Sequence, residues 1–133
     1  MIRWISLSAL MLAGSISLGA QGPALSVPYT QFKLPNGLNV ILHRDASVPV
    51  VSVNIWYHVG SGNERPGRTG FAHLFEHVMF EGSMHVPEGE FDNWLEAAGG
   101  NNNGSTTNDR TNYYEDIPSN ALELALFLES DRL

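Results

Sequence analysis

The sequence predicts an α+β fold, a mixed or antiparallel sheet with helices packed on one face. Two observations carry that prediction. Runs rich in β-branched and aromatic residues, at 29–43 and 50–60, are punctuated by turn residues and read as strands. Beyond them, 71–80 and 119–133 space their apolar residues helically, while 87–100 has acidic residues at its start and Gly99-Gly100 at its end. The 133 residues, 43% of them hydrophobic, suffice for one modest core.

From the N-terminus, residues 1–20 read as a secretory signal peptide. Arg3 precedes an apolar run from Trp4 to Leu12, and small residues follow up to Ala20. That run is shorter than the roughly 20 apolar residues a bilayer span requires, so no stable membrane span is expected. The expected location is therefore exported, periplasmic or secreted. Residues 21–28 are aperiodic and read as a leader, which leaves 29–133 as the folded part.

Within it, "YTQFKLPNGLNVILH" alternates and turns at Pro35-Asn36-Gly37, predicting a hairpin in which the Asn-Gly pair supplies positive φ. "VVSVNIWYHVG" predicts a long strand with one face buried. The glycine-rich "GSGNERPGRTG" lacks the spacing of a phosphate-binding loop and reads as a flexible connection, with Thr69 near the N-cap of the next helix. Helices are expected over about 71–80, within 87–100, and over 119–133 with Ser119 as its N-cap. Strands are expected at about 102–107 and 111–117.

The helix "FAHLFEHVMF" carries the chemistry. At roughly 100° per residue, His77 lies about 40° from His73 and Glu76 about 60° the other way, so the three share one face. Phe71, Leu74, Phe75, Val78 and Met79 form the opposite arc, expected toward the core, with Phe80 left on the polar side. Two imidazoles one turn apart can reach a single zinc ion, and a neighbouring carboxylate can take a proton from water that the ion has made acidic. His-x-x-Glu-His supplies both parts, with His73 and His77 as ligands and Glu76 as base. The plainer alternative is a polar helix face that meets only water.

Charge narrows the partners. At −7 net, with seven basic residues of which Lys33 is the one lysine, the chain cannot line a phosphate track, so no nucleic acid is expected. There is no cysteine, hence no disulfide. His43, His58 and His85 have no partner at ligand spacing and are expected to be structural. Trp94, Leu95, Tyr113 and Tyr114 are expected in the core or a half-buried sheet.

Three segments in order, "LPNGLNVIL", "HVGSGNERPGRTGFAHLFEHVMFEGS" and "GGNNNGSTTNDRTNYYEDIP", resemble the pitrilysin/insulinase family of zinc metallopeptidases, which includes the mitochondrial processing peptidases. The resemblance covers about Phe32 to the C-terminus. It implies the first part of one half of a pitrilysin-like peptidase, facing a second half that is fused or a separate chain. It also implies one zinc ion on His73 and His77, Glu76 activating water, and an extended peptide substrate that adds a strand beside Asn103, Gly104 and Ser105. The family's third zinc ligand, a glutamate, lies downstream of Leu133, so the chain resembles a fragment of a longer precursor. Gly104 stands where the family usually has Ala, and Asn103-Gly104 also suits a tight turn. Two other readings stay open: a non-catalytic partner subunit of such a peptidase, and a small exported binding module.

Overall fold

A computed structural model describes residues 26–133; the expected signal peptide, 1–20, and residues 21–25 of the leader lie outside the described residues. The chain divides into two compact units, one ending at Arg44 and the other spanning Asp45–Leu133. In the first, β1 (Thr30–Lys33) pairs antiparallel with β2 (Asn39–Leu42). The turn forms where the Asn-Gly pair stands, but only Gly37 takes a positive φ, 95°. Asn36 contributes differently, its side-chain oxygen accepting the Leu38 N–H at 3.1 Å.

The second unit contains β3 (Val50–Tyr57), α1 (Phe71–Val78), α2 (Glu90–Ala97), β4 (Asn101–Thr106), β5 (Thr111–Pro118) and α3 (Leu122–Asp131). The three strands form an antiparallel sheet in the order β3-β5-β4. Period-two alternation splits its faces. Val53, Tyr57, Tyr113 and Ile117 turn toward the helices, whereas Ser52, Asn54 and Trp56 are exposed on the other side. Val86, Phe91, Leu95, Ile117, Ala125 and Leu128 make the buried core, with Phe80 and Trp94 packed against it. Asn103-Gly104 lies within β4 and forms no turn.

Ser119 does not cap α3. A short 3-10 turn, Ser119–Ala121, intervenes, and the Ser119 N–H donates to Pro49 O at 3.0 Å. Nor is α3 apolar toward the core throughout, since Leu126 and Phe127 are exposed and Glu129 is buried. The C-terminal end of α3 is tied to the α1–α2 connection: Asp131 accepts Ser83 Oγ at 2.5 Å, the His85 N–H at 2.8 Å and His85 Nδ1 at 2.6 Å. Those donors, Ser83 first, hold the Asp131 carboxyl down at about 2.

Three ionisable groups lie inside. Glu115 on β5 is 0% exposed, Glu129 2% and Arg132 8%. Arg132 donates Nε to Glu129 Oε2 at 3.0 Å and a second nitrogen to Glu129 Oε1. Its guanidinium lies 4.4 Å from the ring centre of Phe91 and 4.5 Å from that of Tyr113, so the charge sits between a carboxylate and aromatic faces. Glu115 stands 3.9 Å from the same guanidinium, and neither of its oxygens has a hydrogen-bond partner among the described residues. Burial first, and then Glu129, push its carboxyl up to about 9. A neutral Glu115 leaves one carboxylate for one guanidinium, which is how three such groups can share an interior.

Two outcomes follow for chemical denaturation. Arg132→Met, which strands Glu129 without its counter-charge, costs about 3–5 kcal/mol. From its ordinary 4.5 to about 9, Glu115 keeps in the folded state a proton that the unfolded chain releases, so it lowers stability as pH rises through that window. Glu115→Gln therefore matches the parent near pH 4.5 and is the more stable of the two at pH 8; equal stabilities at pH 8 would contradict a neutral buried Glu115.

Candidate functional site

The helix α1 and the strand β4 carry the residues singled out by sequence. The approach to α1 is a constrained loop, in contrast to the flexible connection expected. A Cβ at Gly60 would stand 2.2 Å from Thr107 O, so only glycine permits the loop to meet the β4–β5 turn there. Ser61 N–H donates to Thr107 O at 3.0 Å, Gly62 N–H to Asn108 O at 2.7 Å, and Ser61 Oγ to Asn108 Oδ1 at 3.0 Å.

Thr69 is not the N-cap of α1; Gly70 occupies that position and offers no side chain. The cap comes from Glu64, six residues earlier. Its Oε1 accepts the Ala72 N–H and its Oε2 the Gly70 N–H, both at 2.8 Å. A carboxylate on the free N–H groups of a helix start is favourable for hydrogen bonding and for the helix dipole. The Ala72 bond first, then Gly70, lower the Glu64 carboxyl below its ordinary 4.5.

On α1, His73 Nε2 and His77 Nε2 lie 3.0 Å apart, both rings exposed. With metal–nitrogen bonds of about 2.0–2.1 Å, two nitrogens at that spacing subtend roughly 95° at a shared ion, close enough to tetrahedral for zinc to fit. Without an ion, one tautomer of the pair can hydrogen-bond the other. Among the described residues no group of three His, Cys, Asp or Glu could hold a metal, so the chain presents two donors here.

The arc opposite them overturns the expectation from periodicity. Phe71, Leu74, Phe75 and Val78 are 48–60% exposed, while Phe80, placed on the polar side, packs against Phe91 and Tyr113. The helix turns its Glu76 side inward because β4 can approach there. A Cβ on Gly104 would stand 3.3 Å from Glu76 Cγ and 3.2 Å from Phe80 Cε2, so the missing side chain lets strand and helix close. Glu76 is half-buried, and its Oε2 accepts a hydrogen bond from Thr106 Oγ1 on β4. Between α1 and β4 lies a cleft of about 520 Å³ whose walls include His73, Glu76, Gly104 and Thr106.

Among the described residues β4 pairs only with β5, leaving its other edge open. Thr107 N–H bonds Arg110 O at 2.8 Å at the turn. Antiparallel alternation from that bond turns the main chain of Ser105 and Asn103 toward β5, and that of Thr106, Gly104 and Asn102 toward the open edge. Gly104 N–H accordingly bonds the Asn103 side-chain oxygen at 2.8 Å. Gly104 and the Asn103 side chain thus lie at the open edge. Ser105 does not offer its backbone there, and its hydroxyl is committed to Asn112 Oδ1 at 2.7 Å. Glu64 and Thr106 escaped the sequence reading. Thr106 shares the face of Gly104 by alternation, which was the available signal; nothing in the local pattern marks Glu64 as a cap six residues away.

The remaining histidines lie outside this cluster. His43 Nδ1 meets Pro28 O at 2.6 Å, and His85 is paired with Asp131.

The sequence profile described as Insulinase (Peptidase family M16) matches residues 39–131. The chain is 36% identical over 115 residues to the zinc protease PqqE of Helicobacter pylori, covering 84% of this chain and 25% of that protein. It is 34% identical over 99 residues to human insulin-degrading enzyme, covering 74% of this chain and 10% of that protein. A crystal structure of a protease from Helicobacter pylori superposes with a TM-score of 0.77 at 33% identity, over 80% of this chain and 26% of that one. The chain thus spans a tenth to a quarter of the length of the curated relatives it matches.

The Glu64 cap has a pH signature. A carboxylate with a lowered pKa stabilises the fold above its ordinary 4.5 and loses that contribution as pH falls through its folded value. Thermal melts should therefore place Glu64→Ala below the parent at pH 7, with the gap closing in acid; a gap independent of pH would rule out the ionised cap.

Proposed function

The chain belongs to the insulinase family, peptidase family M16, and we propose that the protein carrying it is a zinc-dependent endopeptidase acting on extended peptides. One observation carries the reading: two imidazole nitrogens converge to 3.0 Å on one face of a helix, beside a half-buried carboxylate that is bonded to Thr106 on the edge strand β4. His73 and His77 would hold the ion through Nε2, and the part of the protein beyond this chain would supply its remaining ligand. When bound, zinc supplies Lewis acidity, making a water more acidic and polarising the scissile carbonyl.

The chain's own residues do the rest. Glu76 takes a proton from the attacking water and passes it to the departing amine nitrogen as the peptide C–N bond breaks. The open edge of β4 receives substrate main chain, with Gly104 offering its N–H once the Asn103 side chain releases it. Recognition by main-chain bonds holds the peptide extended and depends little on its sequence. A second pitrilysin-like half, fused or separate, would close the chamber, and residues 1–20 would direct export to the periplasm or beyond.

The test uses the full-length gene product without residues 1–20, an unstructured peptide, and a chelator. Chelation should abolish cleavage, and Glu76→Gln should lower kcat about 10²- to 10⁴-fold while zinc content stays unchanged. His73→Ala or His77→Ala should lose the zinc. Cleavage that survives chelation, or full activity in Glu76→Gln, would refute the reading.

A further inference from the structure

We propose that Thr106 is a positioning residue for Glu76: its hydroxyl proton is committed to Glu76 Oε2, which fixes the carboxylate and leaves Oε1 to meet the attacking water. The inference rests on the peptidase reading of the site. Thr111, Thr106 and Glu76 form a short chain of hydrogen-bonding groups. Thr111, buried on β5, donates Oγ1–H to Val59 O at 3.0 Å. A hydroxyl has a single proton. At the 3.3 Å contact between Thr111 Oγ1 and Thr106 Oγ1, Thr111 therefore has none to give. The Thr106 proton then has two acceptors, that hydroxyl oxygen or the nearer Glu76 Oε2, and a carboxylate accepts more strongly than a neutral oxygen.

Geometry adds to the count. Thr106 is paired in register with Thr111, next to the turn that Ser61 and Gly62 clamp, so the hydroxyl stands on a fixed strand end. A β-branched side chain has few χ1 choices, which holds the oxygen in place better than serine would. Glu76 Oε1 has no hydrogen-bond partner among the described residues, so one carboxylate oxygen is anchored and one is available.

The experiment uses the zinc-loaded full-length protein and its metal-free form. Thr106→Val, which keeps the shape and removes the hydroxyl, should lower kcat by up to about 10²-fold, the order expected for misplacing a catalytic group. KM and zinc content should stay as in the parent, and Thr106→Ser should recover most of the loss. Without metal, Thr106→Val and Glu76→Ala should each lower Tm, and the double variant should melt no lower than the worse single one, because both remove the same bond. Unchanged kcat in Thr106→Val, failure of Thr106→Ser to recover it, or additive Tm shifts would overturn the proposal. Full cleavage by Glu76→Gln would sink it together with the peptidase reading, whereas loss in Glu76→Gln beside full kcat in Thr106→Val overturns the Thr106 inference alone.

Discussion

The contact between the backbone at Gly60 and the β4–β5 turn is the constraint from which the arrangement of the site follows. With no room for a side chain at Gly60, two successive main-chain N–H groups, of Ser61 and Gly62, reach the carbonyls of Thr107 and Asn108. The same loop, a few residues on, presents Glu64 to the first turn of α1. One short segment therefore grips both partners, the strand end that carries Thr106 and the helix that carries His73, Glu76 and His77. The spacing between base and hydroxyl is set by these loop hydrogen bonds together with the close approach of α1 and β4 at Gly104.

The other end of α1 is held from the interior. Arg132 reaches Met79 O at 3.4 Å while paired with Glu129 and stacked on Phe91 and Tyr113. Phe80 closes over the same rings. Because Tyr113 pairs in register with Gly104, the residue beneath the guanidinium is also the neighbour of the edge that faces the cleft. The buried ion pair thus sits one strand away from the proposed chemistry. A helix fixed at both ends can leave its apolar arc exposed within the described residues and still present its polar face at a defined angle.

Local features were legible from sequence and non-local ones were not. The hairpin at Gly37, the long β3 strand, the start of α1 at Phe71 and the Gly99 stop after α2 all depend on residues within a few positions of each other, so turn chemistry and periodicity find them; α1 ends at Val78, two residues short of the expected 80. The pairing of His73 with His77 was visible for the same reason. What failed was anything decided across the chain. Amphipathicity assigns two faces to α1 but does not say which of them this chain covers, and a glycine on a distant strand decided it. Ser119 looked like a cap, yet it opens a 3-10 turn that precedes α3 and is anchored through its N–H to Pro49 in another segment. Glu115, Glu129 and Arg132 carry formal charges that read as surface; only their mutual approach, with one proton retained, makes burial possible.

The site would be seen directly in a crystal structure of the full-length Glu76→Gln protein with zinc and an extended peptide, with anomalous data collected at the zinc edge. One anomalous peak is expected within bonding distance of Nε2 of both His73 and His77, with peptide main chain hydrogen-bonded to Gly104 along the open edge of β4. A zinc ion held elsewhere, or a peptide seated away from that edge, would contradict the proposed site.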